Sequence, residues 1–254
     1  SGLTNVDCGA GDDTVNVGES SRTLDQIRAV LNIAGASPAS GADTLNLLDD
    51  GDASNNVGRL TSTELTGLGM SGKVVYDGFE FVNVFLGSGN DAFVVESSHG
   101  KSTRVHAGAG DDHVEVWSIS GPTTVIGGLG DDVFTVGNPQ ADSRTLTRIA
   151  ALLTVIGDEP DTAAGTSHDT LNVIGAADTQ SASAILTQAT LTGLGMPTVD
   201  AIQTVFVDDP VPDAAARAFH LQFGGVKTVA LTVNSRSEEH TSELQSRGLI
   251  SYAV

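Results

Sequence analysis

The chain has 254 residues, of which 32 are acidic and 12 basic, so its formal net charge at pH 7 is −20. This strongly negative charge argues against nucleic acid and anionic membrane surfaces as partners, and it favours cations. The single cysteine, Cys8, excludes an internal disulfide framework, and no apolar run approaches the roughly 20 residues needed to span a bilayer.

The first predicted element is a glycine-rich acidic loop near the beginning of the sequence. Glycine permits positive φ and lets main-chain carbonyls approach each other, while adjacent carboxylates in a tight turn repel one another unless a cation lies between them. Such a segment is predicted to be a metal-binding loop that leads into a strand. The pattern occurs as CGAGDDTVN from Cys8, LGSGNDAFV from Leu86, AGAGDDHVE from Ala107 and GGLGDDVFT from Gly127.

The segment that follows the first loop has an apolar pattern with helical spacing. SRTLDQIRAVLNIAG, from Ser21 to Gly35, is similar to SRTLTRIAALLTVIG, from Ser143 to Gly157. This spacing predicts a short edge helix before each following strand. The residues that carry the pattern are Leu24, Ile27 and Leu31 in the first segment and Leu146, Ile149 and Leu153 in the second.

The spacing of the last three loops predicts the architecture. The loops that begin at Leu86, Ala107 and Gly127 lie 21 and 20 residues apart, which fits one coil of a parallel solenoid. Two short strand-like segments, STRVHAG (Ser102 to Gly108) and TTVIGG (Thr123 to Gly128), lie between these loops and give two strands per coil. The predicted fold class is therefore all-β, a parallel β-solenoid of the β-helix or β-roll type with short edge helices.

Alternating apolar residues after each loop indicate half-buried strands. Stacking of successive coils would turn these residues into apolar ladders that face inward. The predicted inward residues are Val15, Val17, Phe93, Val95, Val114, Val116, Phe134 and Val136.

Two other groups of metal-ligand residue types are interpreted without a metal. DDGD, from Asp49 to Asp52, lacks the spacing and the Glu of an EF-hand loop, so a solvated turn is the favoured interpretation. His99, His106 and His113 lie seven residues apart but fall at different places in the predicted coil. They are interpreted as solvated surface residues and not as a zinc site.

The four loops resemble the RTX calcium-binding nonapeptide, GGxGxDxUx, in which U is a large apolar residue. The copy at Gly127 matches every fixed position, and the other three copies lack only the first glycine. The resemblance implies that Ca²⁺ lies between loops of successive coils, held by the sixth-position Asp and by main-chain carbonyls. Three loops in register imply two inter-loop sites, although coils of 20 or 21 residues depart from the usual array of the family.

Carried onto this chain, the resemblance implies three kinds of site residue. The side-chain ligands are Asp91, Asp112 and Asp132, with Asp13 in the isolated first copy. The fifth-position residues either contact the ion or cap the turn; they are Asp12, Asn90, Asp111 and Asp131. The carbonyls that complete the oxygen shell belong to the loop glycines Gly9, Gly11, Gly87, Gly89, Gly108, Gly110, Gly128 and Gly130.

A longer repeat divides the chain into modules. ADTLNL from Ala42 is similar to HDTLNV from His168, and LTGLGM occurs at Leu65 and again at Leu191. This long module is similar to units of very large bacterial surface and secreted proteins. The predicted organisation is a first solenoid module over residues 1–136, a diverged second module over 137–209, and a solenoid end or loose strands over 210–235.

The last 19 residues, 236–254, resemble the translation of a sequencing adaptor. RSEEHTSELQS and ISYAV are the two strings that carry this resemblance, separated by RGL. They are left out of fold reasoning. We interpret the remainder as an internal fragment of a longer protein.

The predicted function is that of a calcium-binding, non-enzymatic structural or adhesive segment of a secreted or cell-surface bacterial protein. The chain carries no GxSxG, HExxH or phosphate-loop motif. Its expected partners are calcium ions, flanking repeats of the same parent chain, and extracellular glycans or surface proteins. Two alternatives remain: an RTX-type secretion or folding module of a larger enzyme or toxin, and a β-helix related to polysaccharide lyases and epimerases.

Overall fold

The structure is a computed structural model that contains β-strands and no α-helix among the residues it describes. Most of the paired strands run parallel, and the described ranges form one large sheet, one smaller sheet and three short antiparallel pairs. The described residues are 2–18, 20–35, 42–139, 145–157, 168–175, 184–187, 189–197, 218–219, 222–223, 226–227 and 231–232.

The larger sheet, sheet A, has nine strands in the order β1-β3-β7-β6-β5-β9-β11-β13-β15. All neighbours are parallel except at β6, which runs antiparallel to both β5 and β7. The strands are β1 (Thr4–Asp7), β3 (Val30–Ala34), β5 (Val57–Leu60), β6 (Glu64–Gly67), β7 (Lys73–Asp77), β9 (Ala92–Val95), β11 (His113–Val116), β13 (Val133–Val136) and β15 (Thr170–Val173).

The smaller sheet, sheet B, has six strands in the order β14-β12-β10-β8-β4-β2, and every neighbouring pair is parallel. Its strands are β2 (Thr14–Val17), β4 (Thr44–Leu48), β8 (Phe81–Phe85), β10 (Ser102–Ala109), β12 (Thr123–Leu129) and β14 (Leu153–Ile156). The all-β class with mostly parallel pairing agrees with the sequence prediction.

The chain alternates between the two sheets from β1 to β15, with one interruption. The strands joined by the crossover loops run parallel to one another within each sheet. All loops from sheet B to sheet A therefore lie along one side of the two sheets, and all loops from sheet A to sheet B lie along the other side. The interruption is the β5-β6-β7 meander, which stays within sheet A. Its turn contains Leu68, whose φ is +50°.

The predicted edge helices are wrong. Leu31 lies in β3, and Leu153 begins β14. The helical spacing arises from a tight turn followed by a strand: the N–H of Ile27 donates to the Leu24 carbonyl, and that of Ile149 donates to the Leu146 carbonyl. Parallel pairing of β3 with β1 and β7, and of β14 with β12, satisfies the backbone of the second half of each segment, which is therefore extended.

The apolar ladders are confirmed for seven of the eight predicted residues, which are buried, while Val15 is half-buried. In sheet A, parallel register places Phe93 beside Val114 and Val114 beside Phe134. Burying each such side chain contributes roughly 1.5 to 3 kcal/mol. These ladders join one hydrophobic cluster that includes buried residues of both sheets.

Part of the predicted organisation falls on residues that the structure does not describe. Residues 236–254 lie wholly outside the described residues. Within 210–235, the described residues form four two-residue strands: β18 (Ala218–Phe219) pairs with β21 (Leu231–Thr232), and β19 (Gln222–Phe223) pairs with β20 (Val226–Lys227). In the second module, β16 (Ala184–Leu186) and β17 (Leu191–Gly193) form an antiparallel pair.

No helix in the described ranges is long and apolar enough to cross a membrane.

Candidate metal site

The sixth-position aspartates of the last three loops lie side by side at one edge of sheet A. Asp91, Asp112 and Asp132 each precede the first residue of a strand, and those strands, β9, β11 and β13, are neighbours in the sheet. The register aligns His113 with both Ala92 and Val133. Since neighbouring strands lie about 4.8 Å apart, the three aspartates form a continuous column along the edge.

The column is held by hydrogen bonds that backbone N–H groups donate to carboxylate oxygens. Asp112 Oδ1 accepts the N–H of Asp91 at 2.7 Å, and Asp132 Oδ1 accepts the N–H of Asp112 at 2.9 Å. The same pattern continues at both ends. Asp91 Oδ1 accepts the N–H of Asn56 at 2.7 Å, and Asp169 Oδ1 accepts the N–H of Asp132 at 3.0 Å.

These aspartates are buried although they lie at the edge of a sheet. The exposed fractions of Asp91, Asp112 and Asp132 are 3%, 2% and 1%. The second carboxyl oxygen of Asp112 is buried and has no hydrogen-bond partner. An acidic group in this environment is stabilised either by binding a proton or by a nearby cation.

Burial raises the pKa of the Asp112 carboxyl to about 8, and the negative charges of Asp132, Asp91 and Asp111 add to the increase. The hydrogen bond from the N–H of Asp91 opposes it. Burial also raises the pKa of Asp91, against the lowering effect of the N–H groups of Asn56 and Gly87. The column therefore concentrates carboxyl groups whose ionised forms lack enough positive partners.

The fifth-position residues form a second, exposed set of hydrogen bonds that runs in the opposite direction. Asn90 Oδ1 accepts the N–H of Asp111 at 3.1 Å, and Asp111 Oδ1 accepts the N–H of Asp131 at 3.0 Å. Asp131 Oδ1 in turn accepts the N–H of His168 at 2.8 Å. Of the two roles left open by the sequence, capping of the neighbouring turn is the one that these contacts support.

The loop glycines allow successive loops to approach closely. A Cβ atom added at Gly108 would lie 2.1 Å from the Gly87 carbonyl oxygen, and one added at Gly128 would lie 2.0 Å from that of Gly108. Gly110 and Gly130 have the same relation to the preceding loop. Glycine carbonyls therefore point along the column, and that of Gly87 accepts the N–H of Ala109 at 3.2 Å.

The first loop lies at the other edge of the sheets. It connects β1 of sheet A to β2 of sheet B, whereas the three later loops connect sheet B to sheet A. The N–H of Asp13 donates to Asp43 Oδ1 at 2.8 Å, and the N–H of Asp43 donates to Glu80 Oε2 at 2.9 Å. Asp13 is therefore separated from the three-loop column and begins a shorter acidic column of its own, flanked by Asp12, whose Oδ1 accepts the N–H of Ala42.

Sequence reasoning missed several members of these columns. Asp43 and Asp169 both precede the residues Thr-Leu-Asn, and this shared placement before a strand was the signal that could have identified them. The interpretation of DDGD as a solvated turn is wrong for Asp49, which is buried and accepts the N–H of Leu24 at 2.9 Å. Burial raises the pKa of Asp49 to about 6.

The residues present fit a hard cation that takes its ligands from side chains and main chain together. In the described ranges, no group of three or more His, Cys, Asp or Glu side chains converges on one point. His99, His106 and His113 therefore do not form such a group either. Each step of the column supplies two carboxyl groups, so carbonyl oxygens would have to supply the other ligands. The unpaired buried Oδ2 of Asp112 is the observation that favours a cation here.

Comparisons with known proteins add no assignment. No protein-family model matches the chain, and a search of curated proteins finds no similar sequence.

Proposed function

We propose that this chain is a calcium-stabilised, non-enzymatic structural segment whose two sheets are the faces of a parallel β-solenoid. Ca²⁺ binds between successive loops at the edge where Asp91, Asp112 and Asp132 are stacked. The observation that supports this most strongly is the buried carboxyl column, in which the Asp112 Oδ2 has no hydrogen-bond partner.

Electrostatics explains why a cation would stabilise this column. Neighbouring buried carboxylates raise each other's pKa, because two like charges at close range disfavour ionisation. A divalent cation between them would replace this repulsion with attraction. The formal net charge of −20 would also raise the local concentration of cations around the whole segment.

The types of ligand favour calcium over transition metals. Carboxylate and carbonyl oxygens are hard donors, and Ca²⁺ accepts six to eight of them in flexible geometry, whereas Mg²⁺ demands a near-ideal octahedron. The role of the ion would be to lock adjacent loops together. Extracellular calcium modules bind with dissociation constants of about 10⁻⁴ to 10⁻³ M, so a segment of this kind would become rigid outside the cell.

A location outside the cell and a spacer or adhesive role follow from this proposal. The sequence contains no GxSxG, HExxH or phosphate-loop motif, so the proposed role is a structural one. Glycans, surface proteins and neighbouring repeats are the partners that a rigid extracellular segment would contact.

The substitution Asp112→Asn separates a metal ligand from a structural hydrogen-bond acceptor. The amide Oδ1 can still accept the N–H of Asp91, but the side chain loses its negative charge. We expect calcium affinity, measured by isothermal titration calorimetry, to fall by about tenfold or more, because a carboxylate ligand is lost. At pH 4, where the folded-state Asp112 carboxyl is neutral like the amide, metal-free stability should change by no more than about 1 kcal/mol.

The matched control is Asp111→Asn, at the adjacent fifth position. Asp111 is exposed, and its Oδ1 caps the N–H of Asp131, which an amide oxygen can also do. Its calcium affinity should stay within about threefold of the parent protein, because only a screened surface charge is lost. Equal calcium affinity for the parent and Asp112→Asn would contradict the proposal and leave a hydrogen-bonding role for the column.

A further inference from the structure

The beginning of the chain repeats a segment whose surroundings the structure also shows. SGLTNVDCGAGDDTVNVG, residues 1–18, aligns without gaps with SGPTTVIGGLGDDVFTVG, residues 120–137. The alignment pairs β1 with β12 and β2 with β13. The second copy therefore shows what surrounds this sequence when it lies inside the sheets.

Inside the sheets, the segment is covered on both sides. β12 pairs with β10 and β14, and β13 pairs with β11 and β15. In the first copy, and among the residues that the structure describes, β1 pairs with β3 alone and β2 with β4 alone. β1 and β2 are thus terminal strands of their sheets in the described part of the chain, and each has one side without a strand neighbour there.

The glycines of the first loop have the conformation of a stacked loop without the neighbour that requires it. The φ of Gly11 is +130°, and that of its counterpart Gly130 is +129°. A Cβ added at Gly130 would lie 2.2 Å from the carbonyl oxygen of Gly110 in the preceding loop, whereas one added at Gly11 meets nothing within 4 Å. Gly9 is equally open, unlike its counterpart Gly128.

Side chains of the first copy show the same difference. Val6 is 37% exposed, while its counterpart Val125 is 0% exposed and is aligned with Val105 of β10. Val15 is half-buried, while its counterpart Phe134 is buried. The apolar ladder is therefore continuous up to this surface and is partly open there.

The acidic position of the first loop lacks the contact that its counterpart makes. Asp132 Oδ1 accepts the N–H of Asp112 in the preceding loop at 2.9 Å. Asp13 occupies the matching position, and within the described ranges no backbone N–H donates to its carboxylate, one oxygen of which is buried and unpaired. An N–H donor from a preceding loop would satisfy an acceptor of this kind.

We propose that the surface formed by β1, the Gly9–Asp13 loop and β2 binds one further segment. That segment consists of a strand, a Gly-x-Gly-Asp/Asn-Asp loop and a second strand, and its two strands pair with β1 and β2 in parallel register. The occupant has the chemistry of Ser102–Val116, which covers the equivalent surface of the second copy. It contributes strand hydrogen bonds to both sheets, a sixth-position N–H to Asp13, and glycine carbonyls that approach Gly9 and Gly11. The inference rests on the proposed function in one respect, since it gives the docking site of a neighbouring repeat, but this surface needs no metal ion and can fail independently of calcium binding.

The test extends the full chain with its own sequence. A second copy of residues 100–119 is joined directly in front of Ser1, which corresponds to Ser120, so the register of the second copy is reproduced without a linker. Hydrogen exchange of the β1 and β2 amides is followed by mass spectrometry, in calcium and after chelation. We expect exchange of Thr4–Val17 to slow by about tenfold or more in the extended chain.

Two variants of the extended chain show whether the added segment stacks in this geometry. Gly11→Ala strains the loop in either chain because its φ is +130°, so the reference is the unextended chain with the same substitution. Relative to that reference the added segment should give no protection, because the Cβ would meet the carbonyl oxygen of the added loop, as it would at Gly130. One residue inserted in the middle of the added first strand, after the copy of Arg104, places the side chains that follow it on the opposite face, and it should abolish the protection as well. Unchanged exchange in the extended chain, or protection that survives both variants, would overturn the proposal.

Discussion

Replacing Gly108 by alanine is expected to lower the free energy of unfolding by about 3 kcal/mol or more. Gly108 has a φ of +110°, which residues other than glycine rarely adopt. The added Cβ would lie 2.1 Å from the Gly87 carbonyl oxygen, and it would also crowd the Leu86 carbonyl oxygen at 3.2 Å. Both neighbours are backbone atoms within the stacked loops, so relief requires the strands to separate.

Gly100→Ala is the control for this substitution. Gly100 has no heavy atom within 4 Å of the added Cβ, and its φ is not in the left-handed region. The change should therefore alter the unfolding free energy by less than about 0.5 kcal/mol. Urea unfolding followed by circular dichroism measures both values. Similar stabilities for the two variants would mean that the loops do not stack closely.

Metal-free protein is expected to lose stability as the pH rises from about 4 to 8. Burial raises the pKa of Asp112 from 3.8 to about 8, so the folded state holds a proton that the unfolded state releases. This contribution is fully present below the unfolded pKa and is lost as the pH rises through the folded pKa. One such group changes the unfolding free energy by at most about 1.4 kcal/mol per pH unit.

Asp49 acts in the same direction over a lower range, because burial raises its pKa to about 6. The measurement is urea unfolding of chelated protein across this pH range. Asp112→Asn removes the titrating group and should flatten the dependence, most clearly between pH 6 and 8. A stability of chelated protein that rises with pH between 6 and 8 would contradict the buried, protonated state of Asp112.

The stacked loops and the apolar ladders were predictable because both follow from local spacing. Gly-x-Gly-Asp/Asn-Asp at intervals of 21 and 20 residues sets the register of β9, β11 and β13, and alternation then fixes which side chains face inward. The burial of Phe93 and Val114 follows directly from this pattern. A local sequence pattern is sufficient here because parallel neighbours repeat the same contacts.

The helices could not be predicted correctly because spacing alone does not distinguish a helix from a turn followed by a strand. Leu24 and Ile27 lie in a turn and Leu31 lies in a strand, and only long-range pairing with β1 and β7 decides between the two structures. The β5-β6-β7 meander was also missed. Its turn places Leu68 at positive φ, which sequence patterns do not predict for leucine.

The site was predictable in its side chains but not in its hydrogen bonds. The sixth-position pattern identified Asp91, Asp112 and Asp132, yet it gave no indication that each carboxylate also accepts an N–H from the neighbouring loop. Asp13 lies at the opposite edge because its loop runs from sheet A to sheet B. The direction of a loop depends on how many times the chain has already crossed between the sheets. That number is a property of the whole module and cannot be read from one loop.

Calcium binding between the stacked loops can be measured by titrating chelated protein with calcium, and in parallel with magnesium, while circular dichroism is recorded. We expect the strand signal and the unfolding temperature both to rise with calcium at about 10⁻⁴ to 10⁻³ M, and equal magnesium to have little effect. A spectrum and an unfolding temperature that are the same with calcium, with magnesium and with chelator would contradict calcium binding between the loops.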